Sequence, residues 1–204
     1  MFKIYYNNKI LLLSKSAIAD NSFAKISFLQ KENIKNALKI FLEDENALNL
    51  NIYELSTEKL PDFISESFKL INAGGGIVVN RSNDILYIFR RGFYDFPKGK
   101  IETNESAKNG ALREVCEECG VLMSDLQIDR KLNNVYHIYE LNGQYVLKNT
   151  TWFMMRYTGD NSLTPQTEED ITEIGWMKKS ELEKFKSNTY PSLVDLVDII
   201  TGIV

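Results

Sequence analysis

The sequence predicts an α/β protein made of one large domain or of a domain with a smaller unit attached. Its 204 residues can bury a substantial core, and they are 44% hydrophobic and 25% charged, as in ordinary globular proteins. Short apolar segments with strand character alternate with segments whose apolar residues recur every three or four positions. That alternation indicates strands and helices in the same fold.

Residues 1–70 are predicted to form a small α/β unit. Phe2–Tyr6 and Ile10–Leu13 indicate a hairpin that turns at Asn7-Asn8, and Leu50–Leu55 indicates a further strand. Apolar residues at helical spacing predict a first helix, and they are Ile34, Leu38, Phe41 and Leu42. We interpret this unit as a structural appendage or an interaction module, with a homodimer as the candidate assembly.

A second helix is predicted at the end of this unit. Its apolar positions are Leu60, Phe63, Ile64, Phe68 and Ile71. Ser56 or Thr57 is expected to cap it, and Pro61 falls in the first turn, where proline is tolerated.

Residues 71–204 are predicted to form the main domain. Asn72–Gly76 marks the boundary, and its three glycines lead directly into the buried-strand pattern Ile77-Val78-Val79. The later strands are predicted at Ile85–Arg91, Val135–Leu141, Tyr145–Lys148, Thr151–Tyr157 and Ile171–Met177. The helices are predicted at Ser106–Cys119, Ser180–Lys186 and Ser192–Ile200.

Loops are expected between these elements. Gly92–Lys100 and the polar stretch Thr158–Asp170 have no clear periodicity. Asn142-Gly143 is the strongest short hairpin signal in the chain. Gly120 is expected to end the helix that precedes it, because glycine readily adopts the left-handed conformation of a C-cap.

The segment Gly99–Val121 concentrates carboxylates on one helical face. At about 100° per residue, Glu114, Glu117 and Glu118 fall within roughly one third of the helix circumference. Carboxylates crowded in this way repel each other unless a cation lies between them. An oxygen-only set of donors suits a hard divalent ion, so the segment predicts a site for Mg²⁺ or Mn²⁺.

The spacing of this segment resembles the box of the Nudix hydrolases. Gly99 is followed after five residues by Glu105 and after seven more by Arg113-Glu114-Val115-Cys116-Glu117-Glu118-Cys119-Gly120-Val121. The resemblance implies an α/β/α sandwich with a mixed sheet, and an enzyme that cleaves a nucleoside diphosphate linked to another moiety. In that family a strand of small residues, here Gly74–Gly76, lies against the bound ligand.

The resemblance also implies roles for the residues of the box. Glu117 and Glu118 are the expected metal ligands, with the carbonyl oxygen of Lys98 as an additional one. Glu114 is either a further ligand or the base that takes a proton from water. Arg113 is expected to orient the carboxylates, while Gly99, Glu105 and Gly120 have structural roles.

Further candidates lie outside the box. Glu168, Glu169 and Asp170 form an acidic run, from which we favour Glu169 as an extra ligand or base. Substrate phosphates are expected to contact basic residues chosen from Arg90, Arg91, Lys98 and Lys148, with Arg91 and Lys98 best placed beside the box. Base stacking is open to several aromatic residues, namely Phe93, Tyr94, Tyr136, Tyr139 and Trp152.

Composition excludes several other classes of function. The net charge of −4 argues against a dedicated nucleic-acid binder, and the absence of a long apolar run argues against a membrane span. We therefore expect a small-molecule partner, such as a nucleotide or other diphosphate, and a cytoplasmic location. Cys116 and Cys119 are expected to pack on the apolar face of the helix, because no second pair completes a zinc site.

The predicted function is a metal-dependent pyrophosphohydrolase acting on a dinucleoside polyphosphate or a nucleoside triphosphate. The segment YDFPKGKIE supports this choice modestly, since its Pro-Lys-Gly is similar to that of Nudix enzymes for dinucleoside polyphosphates. An oxidised-nucleotide sanitising enzyme and a nucleotide-sugar pyrophosphatase are the alternatives within the enzyme class. A domain that senses a nucleotide through the N-terminal unit is the alternative outside it.

Overall fold

The computed structural model describes residues 1–160 and 162–202, so Asn161 in the predicted polar loop and the last two residues lie outside the description. The chain divides into two compact units. The first contains residues 1–70 and 136–148, and the second contains residues 71–135 and 149–204. The first unit thus includes a later segment that we had expected within the main domain.

The first unit is built around a mixed sheet with two helices. Its strands and helices are β1 Phe2–Tyr6, β2 Lys9–Leu13, β3 Phe23–Ser27, α1 Lys31–Glu43, β4 Asn49–Tyr53 and α2 Leu60–Ser67. β1 and β2 form the predicted antiparallel hairpin, while β4 lies parallel to both β2 and β3. A parallel pair needs a crossover connection, and α1 supplies it between β3 and β4.

The core of this unit lies between the sheet and the helices. Ile34, Leu38 and Phe41 are the buried residues of α1, as the periodicity predicted. They pack with Ile4, Leu11 and other buried strand residues. Lys9 ties α1 to the hairpin, because its Nζ donates to the carbonyl oxygens of Phe41 and Asp44 at 2.5 and 2.7 Å.

The second unit contains most of the remaining elements. They are β5 Lys69–Val79, β6 Ile85–Arg90, β7 Phe93–Asp95, β8 Lys98–Lys100, α3 Ala107–Cys119, β9 Leu126–Leu141, β10 Gln144–Tyr157, β11 Ile171–Met177, α4 Leu182–Ser187 and α5 Pro191–Thr201. In its sheet β11, β6, β5 and β10 follow one another, while β7 pairs with β6 and β8 with β5. The parts of β9 and β10 within 136–148 belong to the first unit.

Two apolar layers cover the faces of this second sheet. On one face Val78, Ile88 and Met155 pack with Val115 and Cys119 of α3. On the other face Ile77, Trp152 and Phe96 pack with Phe185 and Leu196 of the C-terminal helices. This arrangement is the predicted α/β/α sandwich with a mixed sheet.

Several predicted boundaries are wrong. α2 ends at Ser67 rather than near Ile71, because Phe68 is already extended and the chain enters β5 at Lys69. Neither Ser56 nor Thr57 caps α2, whose N-cap is Lys59, although Pro61 does lie in the first turn.

The strand pattern differs from the prediction at three further places. The expected loop at 92–100 contains β7 and β8, whose strands are only three residues long and leave no periodic signal. β3 was not predicted, since its half-exposed sequence FAKIS lacks clean alternation. β9 and β10 are longer than predicted, and they meet at Asn142 and Gly143, whose positive φ angles of 51° and 75° fit the expected hairpin turn.

None of the helices among the described residues has the length and apolar character needed to span a bilayer. The cytoplasmic location and the homodimer stay predictions.

Candidate active site

Helix α3 begins and ends where its sequence predicts. The Ser106 hydroxyl accepts a hydrogen bond from the Asn109 backbone N–H at 3.1 Å, which satisfies one of the free donors of the first turn. Gly120 closes the helix with φ 67°, a left-handed conformation that favours glycine. Both ends of the helix are therefore held in place, and its glutamates project from a defined position.

Glycines in β5 allow α3 to pack closely on the sheet. A methyl group on Gly74 would meet the Ala107 carbonyl oxygen at 2.7 Å, and one on Gly76 would meet Val115 at 2.6 Å. Gly75 faces the Trp152 ring, where a methyl group would meet a ring carbon at 2.5 Å. Protein atoms therefore occupy the space that side chains at these three positions would need. The contact between this strand and a bound ligand, which the resemblance implies, stays a prediction.

Arg113 lies at the centre of three box carboxylates. Its Nε and Nη2 donate to the two oxygens of Glu105, both at 3.0 Å, in the bidentate geometry typical of strong arginine–carboxylate pairs. Its Nη1 donates to Glu114 and Glu117, each at 2.8 Å. Its Nη2 also reaches the carbonyl oxygen of Lys100 at 2.9 Å. The orienting role predicted for Arg113 agrees with these contacts.

This network favours the charged forms of Glu105 and Arg113. Hydrogen bonding to Arg113 lowers the pKa of Glu105, and the Glu105 carboxylate in turn raises the pKa of Arg113. Four side chains of the box thus form one charged cluster at the surface of α3.

Glu118 is the buried carboxylate of the box, with a relative exposure of 1%. Its Oε2 accepts the backbone N–H of Lys98 at 2.8 Å, and its Oε1 lies 3.4 Å from Arg90 Nη1. Burial raises the pKa of Glu118 to about 7, although the positive charge and backbone N–H of Lys98 favour the ionised form. A nearby cation would stabilise the ionised form of such a buried carboxylate.

Lys98 joins the box to a second buried acid. Its ammonium group pairs with the carboxylate of Asp95, and both side chains are largely buried. The other oxygen of Asp95 accepts the Phe96 backbone N–H at 2.8 Å. Asp95 therefore holds Lys98 in position, and no sequence pattern predicts this contact.

Arg90, rather than Arg91, contacts the box. Besides Glu118, the Arg90 guanidinium reaches Glu169 Oε2 at 3.2 Å, so it links the buried box carboxylate to the acidic run. Arg91 instead pairs with Asp170 at 2.9 Å in an exposed position. The structure thus brings Glu169 to the neighbourhood of the box, with Arg90 between the two acids.

The remaining candidates lie elsewhere. Lys148 is half-buried in the part of β10 that belongs to the first unit. Tyr136 and Tyr139 also belong to the first unit. Trp152 is 1% exposed and Tyr94 is 8% exposed, and both are core residues rather than a stacking surface. Phe93 is 40% exposed at the start of β7.

The cysteines occupy the apolar face of α3, as predicted. Cys119 is fully buried in the core, and Cys116 packs against the same cluster. Burial raises the pKa of both thiols, so neither is poised to react.

The box side chains suit a divalent cation in charge and donor type. Among residues 1–160 and 162–202, no three His, Cys, Asp or Glu side chains converge closely enough to hold a metal ion, since Arg113 lies between Glu114 and Glu117. These two carboxylates are nevertheless already gathered around a positive charge. All the donors are oxygens, and Glu118 provides a buried carboxylate one position along the helix.

Comparison with known proteins agrees with this geometry. Residues 70–196 match the model of the NUDIX domain. The chain belongs to the Nudix family. The match includes the box, the glycine-rich β5 and the acidic run, while nearly all of residues 1–70 lie outside it.

Two relatives show which Nudix proteins the chain is similar to. A putative mutator protein MutT4 of Mycobacterium tuberculosis is 33% identical over 95 residues, which cover 46% of this chain and 36% of that protein. An RNA pyrophosphohydrolase of Novosphingobium aromaticivorans is 27% identical over 143 residues, which cover 62% and 86% of the two chains. Nudix pyrophosphohydrolases are thus among the relatives of the chain.

A solved structure shares the fold. The C. elegans Ap4A hydrolase superposes with a TM-score of 0.52 at 16% identity, covering 65% of this chain and 96% of that one. At this identity the likeness concerns the fold alone. It agrees with the sandwich described for the second unit.

Proposed function

We propose that this protein is a divalent-cation-dependent pyrophosphohydrolase that cleaves a phosphoanhydride bond in a dinucleoside polyphosphate or a nucleoside triphosphate. The observation that carries the proposal is the carboxylate cluster on one face of α3, where Arg113 orders three glutamates beside the buried Glu118. Relatives named RNA pyrophosphohydrolase and 8-oxo-dGTP diphosphatase support the same class of reaction.

The proposed metal ligands are Glu117, Glu118 and the carbonyl oxygen of Lys98, with Glu114 as a further ligand or as the base. When bound, Mg²⁺ or Mn²⁺ would neutralise phosphate charge and lower the pKa of a coordinated water. Glu114 and Glu117 become available when their carboxylates turn away from Arg113, which keeps its bidentate hold on Glu105.

The remaining polar residues would position the substrate and the water. Arg90 and Lys98 place positive charge beside Glu118, and this charge would attract the anionic phosphates of the substrate. Glu169 is proposed as an additional ligand or base, and its contact with Arg90 holds it in reach of the box. Arg91 and Lys148 stay as predicted phosphate contacts.

A substrate panel tests the proposal. The full chain is incubated with diadenosine tetraphosphate, dGTP, 8-oxo-dGTP, ADP-ribose and 5′-triphosphorylated RNA, and the products are quantified by chromatography. We expect turnover with Mg²⁺ or Mn²⁺, loss of turnover with excess EDTA, and its return when the cation is restored. No turnover of any substrate with either ion would contradict the enzyme and favour a nucleotide-sensing domain.

Substitutions in the box separate the metal site from general damage. Glu117→Gln and Glu118→Gln are each expected to lower kcat by on the order of 10²-fold or more, because each removes a charged donor from the proposed metal site. Glu102→Gln is the matched control, since Glu102 is an exposed glutamate beside the same helix. Activity that survives both box substitutions would exclude this metal site.

A further inference from the structure

The first unit contains a groove between α1 and α2 that the proposed hydrolysis does not use. This α1–α2 groove has a volume of about 660 Å³, within the range of small-molecule sites. All its lining residues belong to the first unit. The box lies in the other unit, so the groove requires its own explanation.

The floor of the groove is largely aromatic. Its apolar residues include Phe28, Ile34, Leu38, Phe63, Phe68 and Tyr145. Phe28 and Phe63 meet edge to face, with ring centroids 5.9 Å apart and planes at 82°. Phe63 and Phe68 are buried in the core of the unit, whereas Phe28 and Tyr145 are half-buried and leave ring surface open to a planar ligand. Ring contacts of this type add to the free energy of burial.

One wall of the groove is basic. Lys31, Lys35 and Lys39 line it from α1 at intervals of four residues, so they form a row about 12 Å long on one face of the helix. Lys39 pairs with Glu43 at 3.9 Å. Within the described part of the chain, Lys31 and Lys35 make no ion pair. Their charges are therefore open to an anionic group of a ligand.

The opposite wall is acidic. Asp62 and Glu66, again four residues apart, line it from α2. Lys59, just before α2, lies with its Nζ 6.0 Å from the Phe28 ring centroid. The α1 side of the groove thus offers a row of cations, the α2 side offers two carboxylates together with the ammonium group of Lys59, and aromatic rings lie between them.

We propose that the α1–α2 groove binds a purine nucleoside phosphate. Its phosphates would lie along Lys31 and Lys35, its base on the aromatic floor, and the N–H donors of the base toward Asp62 and Glu66. An acyl chain with an anionic head would satisfy the lysines but would leave the two carboxylates without donors. The nucleotide matches all three surfaces of the groove. This site is independent of the hydrolysis proposed above, because its residues lie outside the box.

Binding is tested on the full chain with guanosine 5′-(α,β-methylene)diphosphate in the presence of EDTA. This analogue has no hydrolysable anhydride, and the absence of divalent cations keeps the measurement separate from turnover. We expect backbone amide shifts in a two-dimensional NMR titration to concentrate at residues 28–68. An unchanged spectrum in this range at millimolar analogue would overturn the proposal, whether or not the protein proves to be a hydrolase.

Reversing the charge of Lys31 and Lys35 tests whether the basic wall binds the phosphates. Lys31→Glu/Lys35→Glu is expected to weaken binding at least tenfold, as measured by calorimetry. Lys15→Glu/Lys25→Glu makes the same change in charge at exposed lysines of the same unit that do not line the groove, and it should stay within twofold of wild type. Thermal melting of both variants checks that they fold, and equal weakening in the two would contradict the assignment.

The acidic wall distinguishes a nucleotide from a plain anion. Asp62→Asn/Glu66→Gln is expected to weaken binding of the analogue but not of inorganic pyrophosphate, since removing negative charge favours any bare anion. Tighter binding of the analogue to this variant would overturn the proposed orientation. If dodecyl phosphate shifts the same amides at lower concentration than the analogue, the occupant is an acyl amphiphile and the nucleotide is excluded.

Discussion

Replacing Gly99 with alanine should impair catalysis while leaving folding nearly intact. A methyl group at this position would overlap the carboxylate of Glu114, far inside the 3.0 Å limit that Cβ atoms essentially never cross. The obstacle is the end of a flexible side chain, so Glu114 can yield without moving the backbone. Turning that side chain from its preferred rotamer costs about 1 kcal/mol of unfolding free energy.

The effect on activity should be much larger. To move from 2.1 Å to the 3.4 Å of ordinary contact, the carboxylate must retreat by about 1.3 Å. A misplacement of about 1 Å already typically costs on the order of 10²-fold in rate. We therefore expect kcat of Gly99→Ala to fall about 10²-fold and Mn²⁺ affinity to weaken.

The assay compares kcat on the best substrate, Mn²⁺ affinity by calorimetry and the urea midpoint. Gly202→Ala is the control, because its added methyl group would meet nothing closer than 3.6 Å. Wild-type kcat and metal affinity in Gly99→Ala would refute the reasoning, since they would show that Glu114 has no required position. A large loss of stability would refute it as well, by showing that the overlap is not relieved at the side chain.

Three further predictions concern stability, each measured as the free energy of unfolding in urea. Gly74→Ala should cost about 1–3 kcal/mol, because its methyl group meets backbone atoms of α3 that cannot turn aside; an unchanged midpoint would contradict the close packing. Asp95→Ala should cost about 3 kcal/mol by leaving the Lys98 ammonium buried and unpaired, and adding Lys98→Met should restore at least half of it. Lys9→Met should cost about 1 kcal/mol, since its hydrogen bonds to the carbonyl oxygens of Phe41 and Asp44 at the end of α1 are lost. Lys15→Met is the control, and an equal loss of stability in the two variants would show that these hydrogen bonds contribute nothing.

Much of the fold follows from local signals. The spacing of Ile34, Leu38 and Phe41 identified α1, and Asn142-Gly143 identified the hairpin between β9 and β10. The limits of α3 followed from Ser106 and Gly120, whose capping roles depend on their own chemistry. Such features depend on residues close in sequence, so the chain reveals them without a structure.

Other elements depended on distant partners. β7 and β8 are three residues long, and their pairing with β6 and β5 stabilises them. Phe68 has a helical spacing from Ile64, yet it lies in extended chain, because β5 begins at the next residue. Periodicity alone does not distinguish these outcomes.

The candidate site shows the same division. The sequence by itself identified the family and predicted the metal-binding carboxylates and the orienting role of Arg113, since all of these follow from the spacing within one short segment. Only the tertiary structure showed that Arg90 rather than Arg91 contacts the box, because β6 ends at Arg90 and Arg91 enters the following turn with a φ of 54°. It alone brought Asp95 to Lys98, filled the space beside Gly74–Gly76 with protein atoms, and formed the groove between α1 and α2. Those features depend on contacts between residues distant in sequence or on the exact course of a loop, which local pattern does not specify.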